Sequence, residues 1–180
     1  YYTRLRTRDY NESGIDVFDR EWDSLLILDA CRYDAFKSVT PDYDLPGKTS
    51  RVVSRSAATT EFVQSQMDGR DLTDTVYITG TTMLYRDGPL SNDVSLNLHD
   101  VVDVWKTGMD EGNIAPDPKV MADRALETAE AYPNKRLVVH FIQPHTPFIG
   151  NRGREVFAEW DAPIWHSKFD GSLDVSDDIL

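Results

Sequence analysis

One cysteine, Cys31, is the chain's whole supply of thiols. That excludes an intramolecular disulfide and a cysteine-rich zinc site. Long apolar runs are missing too: none reaches the roughly 20 residues that a membrane-spanning helix needs. The opening Tyr1-Tyr2-Thr3-Arg4 lacks the pattern of a secretory signal, so the cytoplasm is the expected compartment. Bases are outnumbered, with 19 Lys and Arg against 31 Asp and Glu and a formal net charge of −12. Such a surface repels phosphate backbones and argues against a nucleic-acid partner. No internal repeat and no low-complexity linker breaks the sequence.

What is present is an ordinary globular composition. With 180 residues, 40% of them hydrophobic and 28% charged, one soluble domain with a real core is expected. The acids are mostly Asp and the bases mostly Arg. That bias suits a protein kept hydrated in high salt, where screening relieves self-repulsion, and a halophilic source fits it. Arg4, Arg6 and Arg8 make a short basic start; residues 1–21 read as a polar arm and 22–180 as the domain.

Two short apolar runs organise that domain. Ser24-Leu25-Leu26-Ile27-Leu28 ends in Asp29, and Leu137-Val138-Val139-His140-Phe141-Ile142 leads into Gln143-Pro144-His145-Thr146-Pro147. Runs of this length and branching read as strands buried on both faces. Each delivers a polar group to the carboxyl edge of a sheet, where open α/β folds place ligands and chemistry. Between them, Ala35 to Val39 reads as a short helix with Asp34 available as its cap, and Arg51 to Ser54 as a further strand. Glu61 to Met67 reads as a helix, Thr75 to Thr79 as a strand ended by Gly80, and Leu84 to Leu98 as a long loop. Val101 to Trp105 stays ambiguous between strand and helix. Pro118 to Tyr132 is the clearest helix, with Val120, Met121, Ala125, Leu126 and Ala129 as its apolar stripe. Strands alternating with helices imply a parallel sheet covered on both faces.

The residues able to carry chemistry have plainer readings beside the functional ones. Asp29 can serve a site or simply cap the following turn. His145, stiffened by Pro144 and Pro147, can donate a proton, ligate a metal or sit idle in a turn. Thr59 and Thr60 fall at a helix amino terminus, where backbone N–H groups favour an oxyanion, but Ser and Thr are also common N-caps. His140, inside its strand, reads as a core residue, and His99 and His166 as loop residues. Arg32 and Arg55 can neutralise an anion or pair with neighbouring acids. Cys31 has no base beside it in the sequence and reads as structural.

Three segments together resemble the alkaline phosphatase/sulfatase superfamily, and within it sulfatase-like proteins of halophilic archaea. Leu25 to Asp34 resembles its first metal-binding strand, Ser56-Ala57-Ala58-Thr59-Thr60-Glu61-Phe62 its nucleophile loop, and His140 to Phe148 its proline-flanked histidine motif. The resemblance implies an α/β fold, an αβα sandwich with a mostly parallel central sheet. It implies a divalent metal (zinc, calcium, manganese or magnesium) with Asp29 as ligand. Thr59 would be the metal-bound nucleophile, with Ser56 or Thr60 in its place if the loop register shifts, and His145 the group that meets the substrate or protonates the leaving group. The substrate would be a phosphorylated or sulfated small molecule or glycan, cleaved through a covalent enzyme ester.

Two departures shape the expectation. No Cys/Ser-x-Pro-x-Arg motif is present, so a Thr or Ser nucleophile acting in phosphoryl transfer is favoured over formylglycine chemistry. No Asp-His-Gly motif follows, so the chain reads as truncated at its C-terminus, with half a metal site that would bind an ion weakly. A sheet edge left by such a cut would favour pairing with another chain, and hence a homo-oligomer. The alternative is a non-catalytic, shortened relative that keeps the fold and binds a partner or an anionic ligand. A phosphatase with Asp29 as aspartyl nucleophile ranks below both, because that class wants a second Asp where Cys31 stands.

Overall fold

Among the described residues, four parallel strands form the sheet in the order β1-β4-β2-β3. They are β1 (Ser24–Leu28), β2 (Asp71–Thr79), β3 (Asn97–Asp103) and β4 (Arg136–Phe141). Among the described residues they are accompanied by the α-helices α1 (Tyr33–Val39), α2 (Thr59–Met67) and α3 (Pro118–Ala131). The computed structural model describes residues 10–84, 94–107, 115–145, 148–153 and 155. His166, Thr146, Pro147 and most of the expected loop at 84–98 lie outside the described residues.

The period-2 alternation of the strands sorts side chains onto two faces. Leu25 and Ile27 of β1, Tyr77 of β2 and Val138 of β4 meet Val63 and Met67 of α2, with Phe18 and Leu72 in the same cluster. Val76 and Ile78 of β2 with Leu137 and Val139 of β4 meet Met121, Ala125 and Ala129 of α3. So α2 and α3 cover opposite faces. Topology requires this: the chain moves one way across the sheet from β1 to β2 and the other way from β3 to β4, and right-handed crossovers then place the two helices on opposite sides. The α/β architecture with a parallel sheet flanked by helices is as expected from the alternation of elements.

Several local expectations are corrected. β1 is not buried on both faces. It lies at the edge of the sheet, and Leu26 and Leu28, on the α3 side, are 62% and 39% exposed. An apolar run reports the residue types of a strand but not its place in the sheet order. Arg51 to Ser54 is not a strand; Ser54 makes only an isolated bridge to Ile15. Asp34 is not the cap of α1: Arg32 holds that position, and Asp34 sits in the first turn, paired with Arg32. In α3 the stripe is narrower than its sequence, because Val120 and Leu126 are exposed while Met121 is buried. The ambiguous stretch resolves into both forms, β3 running through Asp103 and a 3₁₀ turn following at Val104–Lys106.

Residues 10–23, ahead of the first strand, pack onto the body. Phe18 is in the core beside the edge of the Trp22 ring. Asp16 accepts from Arg55 Nη1 at 2.7 Å and from Arg70 Nη2 at 2.5 Å, with its carboxylate largely shielded from solvent. Gly14 is required by close backbone approach, since a Cβ there would lie 2.5 Å from the backbone nitrogen of Arg55. No helix among the described residues is long and apolar enough to cross a membrane.

Candidate functional site

In a parallel sheet all carboxyl ends point the same way, so the residues that follow β1, β2 and β4 share one edge. Asp29 follows β1, and its backbone N–H extends the ladder to Phe141 O at 3.2 Å. The chain then turns sharply. Cys31 N donates to Leu28 O, and Ala30 between them has φ 57°, the left-handed region that glycine usually fills. An L-residue held there costs about 1–2 kcal/mol. Strain of this kind persists where surrounding contacts impose it, and here they do. The carbonyl of Asp29 accepts from His145 N at 3.0 Å, tying the turn after β1 to the loop after β4.

The third component arrives on α2. Ala58 is its N-cap and offers no side-chain cap, so Thr59 and Thr60 are the first two helical residues. Glu61, buried in the first turn, reaches back to the Ala57 N–H at 2.9 Å. The bond resembles the reach-back of a capping box but ends one residue earlier, at the residue before the N-cap. The hydroxyl of Thr59 turns to the sheet edge and donates to Asp29 Oδ2 at 3.1 Å. Of the three hydroxyls weighed from the sequence, Thr59 is thus the one joined to Asp29. Ser56 meets Ser54 only through its backbone, its N–H donating to and its carbonyl accepting from the Ser54 hydroxyl, and Thr60 Oγ1 is buried with no hydrogen-bond partner among the described residues. His145 joins the group through its backbone amide. Arg55 is engaged with Asp16, and Arg32 with Asp34. His99 stacks its ring edge on Tyr132.

His140 is a core residue, as its place in the strand indicated, but it is not remote from the site. It is buried on the α2 face, with its Nδ1 2.8 Å from the hydroxyl of Tyr77 and the ring of Phe62 against its edge. Burial pushes its imidazole down to about 4, against the partial opposing pull of the Asp29 charge. Burial, followed by the same charge, raises the Tyr77 phenol, which keeps its proton. Sequence reasoning passed over Tyr77. The available signal was a tyrosine between two aliphatic residues in Thr75-Val76-Tyr77-Ile78-Thr79: buried tyrosines need a partner for the hydroxyl.

The family resemblance brings a divalent cation with it. Asp29 offers one carboxylate, but among the described residues no group of three or more His, Cys, Asp or Glu is placed to hold an ion. Zinc wants about four protein or water ligands and calcium about six to eight. The described residues therefore do not fit a closed metal site. Comparison of the chain with family models, with curated proteins and with solved structures finds no match.

Proposed function

We propose that this domain is a hydrolase or phosphotransferase acting on phosphate or sulfate esters, with Thr59 as acceptor hydroxyl and Asp29 as its base. The reading includes the alkaline phosphatase-like form of the αβα sandwich and a phosphorylated or sulfated small molecule or glycan as substrate. The observation that carries it is the hydrogen bond from Thr59 Oγ1 to Asp29 Oδ2, at the carboxyl edge of the sheet and at the start of a helix with no side-chain cap.

Each part has a physical role. The first backbone N–H groups of α2 have no intrahelical acceptor, and together with the helix dipole they favour the oxyanions of a bound ester. Thr59 Oγ1 attacks phosphorus or sulfur while its proton passes to Asp29 Oδ2. A loose phosphoryl-transfer transition state needs little prior deprotonation, so a carboxylate suffices as the acceptor of that proton. His145 gives a proton to the departing ester oxygen. Water then gives a proton to His145 and cleaves the Thr59 ester, while the proton on Asp29 returns to Thr59. Asp29 would also give one carboxylate to a zinc, calcium, manganese or magnesium ion. Because the described residues close no shell around such an ion, each step assigned here belongs to side chains.

The test is hydrolysis of aryl phosphate and aryl sulfate by the purified chain, with and without added divalent ions, followed by peptide mapping of the covalent ester. Thr59 is expected to carry the label. Turnover with no labelled Thr59, or full turnover by Asp29→Ala, overturns the assignment. The second reading, a non-catalytic relative that holds an anion at α2, draws on the incomplete metal-ligand set among the described residues. Binding of phosphate or sulfate without ester cleavage distinguishes it.

A further inference from the structure

Glu61 is a buried acid that the chemistry above does not use. It stands in the first turn of α2, 8% exposed, and its Oε2 accepts from the Ala57 N–H at 2.9 Å. Among the described residues it has no ion-pair partner, and neither does Asp29. The arginines closest to them in sequence are engaged elsewhere. Arg55 holds Asp16 and two backbone carbonyls, and Arg32 holds Asp34.

Two uncompensated carboxylates thus flank one short row of donors. Two residues of chain, at most about 3.6 Å each, join Ala57 to Thr59, so the Glu61 charge lies within roughly 10 Å of the Thr59 nitrogen. Asp29 is joined directly to the Thr59 hydroxyl. Among the described residues neither carboxylate accepts from the N–H groups of Thr59, Thr60 or Glu61, which stay open to a ligand. The helix start contributes roughly half a positive charge, against the two negative ones. Burial leaves the Glu61 charge poorly screened.

We propose that the start of α2 selects singly charged esters, sulfate monoesters and phosphate diesters, over the doubly charged phosphate monoester, with Glu61 as the residue that sets the preference. This narrows the substrate of the site proposed above and rests on that reading. The open N–H groups attract one oxyanion. A second ligand charge meets both carboxylates again, with no arginine or lysine among the described residues to offset them. At roughly 10 Å one carboxylate changes the affinity for each unit of ligand charge about 2- to 20-fold, for effective dielectric constants between about 80 and about 20.

The experiment compares Glu61→Gln with the wild type at about pH 8, where a phosphate monoester carries two charges. A chelator is present, so that only side-chain and backbone charges act. The glutamine keeps an acceptor for the Ala57 N–H and removes the charge. Inert probes come first: inorganic sulfate with two charges and methyl sulfate with one, titrated into the ¹⁵N-labelled full chain. In the wild type both should shift the amides of residues 58–61, and methyl sulfate should bind at least as tightly as sulfate. In Glu61→Gln the affinity for sulfate should rise about 2- to 20-fold more than that for methyl sulfate. Kinetics then use an aryl sulfate, a methyl aryl phosphate and an aryl phosphate with one leaving group. The variant's gain in kcat/KM should be largest for the aryl phosphate, and the better of the other two tells sulfate from phosphodiester. An equal change for all ligands at matched melting temperatures makes Glu61 a structural residue and overturns the selection. Tighter wild-type binding of sulfate than of methyl sulfate overturns it too. Amides that respond to neither anion remove the selection and the anion site together. Charge selection without turnover of any ester sustains the inference for binding and removes the hydrolytic reading; turnover without charge selection does the reverse.

Discussion

The side chains of Thr59 and Asp29 meet although 30 positions separate them in sequence. One is carried by the first turn of a helix and the other by the turn after an edge strand, so the contact exists only in the folded chain. Removing either group tests it. Asp29→Ala should reduce ester hydrolysis by about 10²- to 10⁴-fold, the usual worth of a positioned base. Thr59→Ala should abolish covalent labelling outright. Labelling that survives in Thr59→Ala and vanishes in Ser56→Ala would move the nucleophile.

A buried neutral histidine makes stability depend on pH. The folded imidazole of His140 titrates at about 4, against 6.5 when unperturbed. Between those values the unfolded chain binds a proton that the folded chain refuses, so stability is full above 6.5 and is lost as pH falls toward 4. The loss levels off at about 3 kcal/mol. Denaturant titrations across this window should show the decline, and His140→Gln should flatten it. Asp74, held below the usual carboxylate range chiefly by Arg136, loses its contribution only at lower pH. A wild-type curve without slope in the His140 window would contradict a buried neutral ring.

Asp16 joins two arginines, and its loss leaves both without that carboxylate. Among the described residues, Arg55 would keep the carbonyl acceptors Gly14 O and Ser65 O, while Arg70 would keep Asp19. Because both guanidiniums are partly solvated, the cost of Asp16→Ala should be about 1–3 kcal/mol, below that of breaking a fully buried pair. Chemical denaturation measures it. A change under about 0.5 kcal/mol, the range of ordinary surface substitutions, would mean the network is cosmetic.

The two faces of β1 should respond differently to truncation. Ile27 packs toward α2, so Ile27→Ala should cost about 1–3 kcal/mol. Leu26, 62% exposed, should tolerate Ala within about 0.5 kcal/mol. Equal costs in the purified protein would show that something covers the outer face in solution, and sedimentation at several concentrations would tell whether that is a second copy.

The parallel sheet was legible in the sequence because branched aliphatic runs, Gly80 after Thr79 and Pro118 at a helix start are local signals. Asp29 and Thr59 were legible as separate candidates for the same reason: each stands at the junction of two recognisable elements. Strand order was not. Whether Leu26 is covered depends on which strand takes the edge, and that is settled by tertiary packing. The Tyr77–His140 bond was hidden too, since pairing of β2 with β4 brings together residues 63 positions apart. Ala30 gave no warning, because nothing about an alanine announces a left-handed turn.

The missing Cβ of Gly14 has a consequence downstream. That gap lets the entering chain lie flush on Ser54 and Arg55, just ahead of the residues that begin α2. A protease nick or bulky graft near Asn11 should therefore free Ser54 and Arg55, a few residues ahead of α2, before it disturbs a single strand.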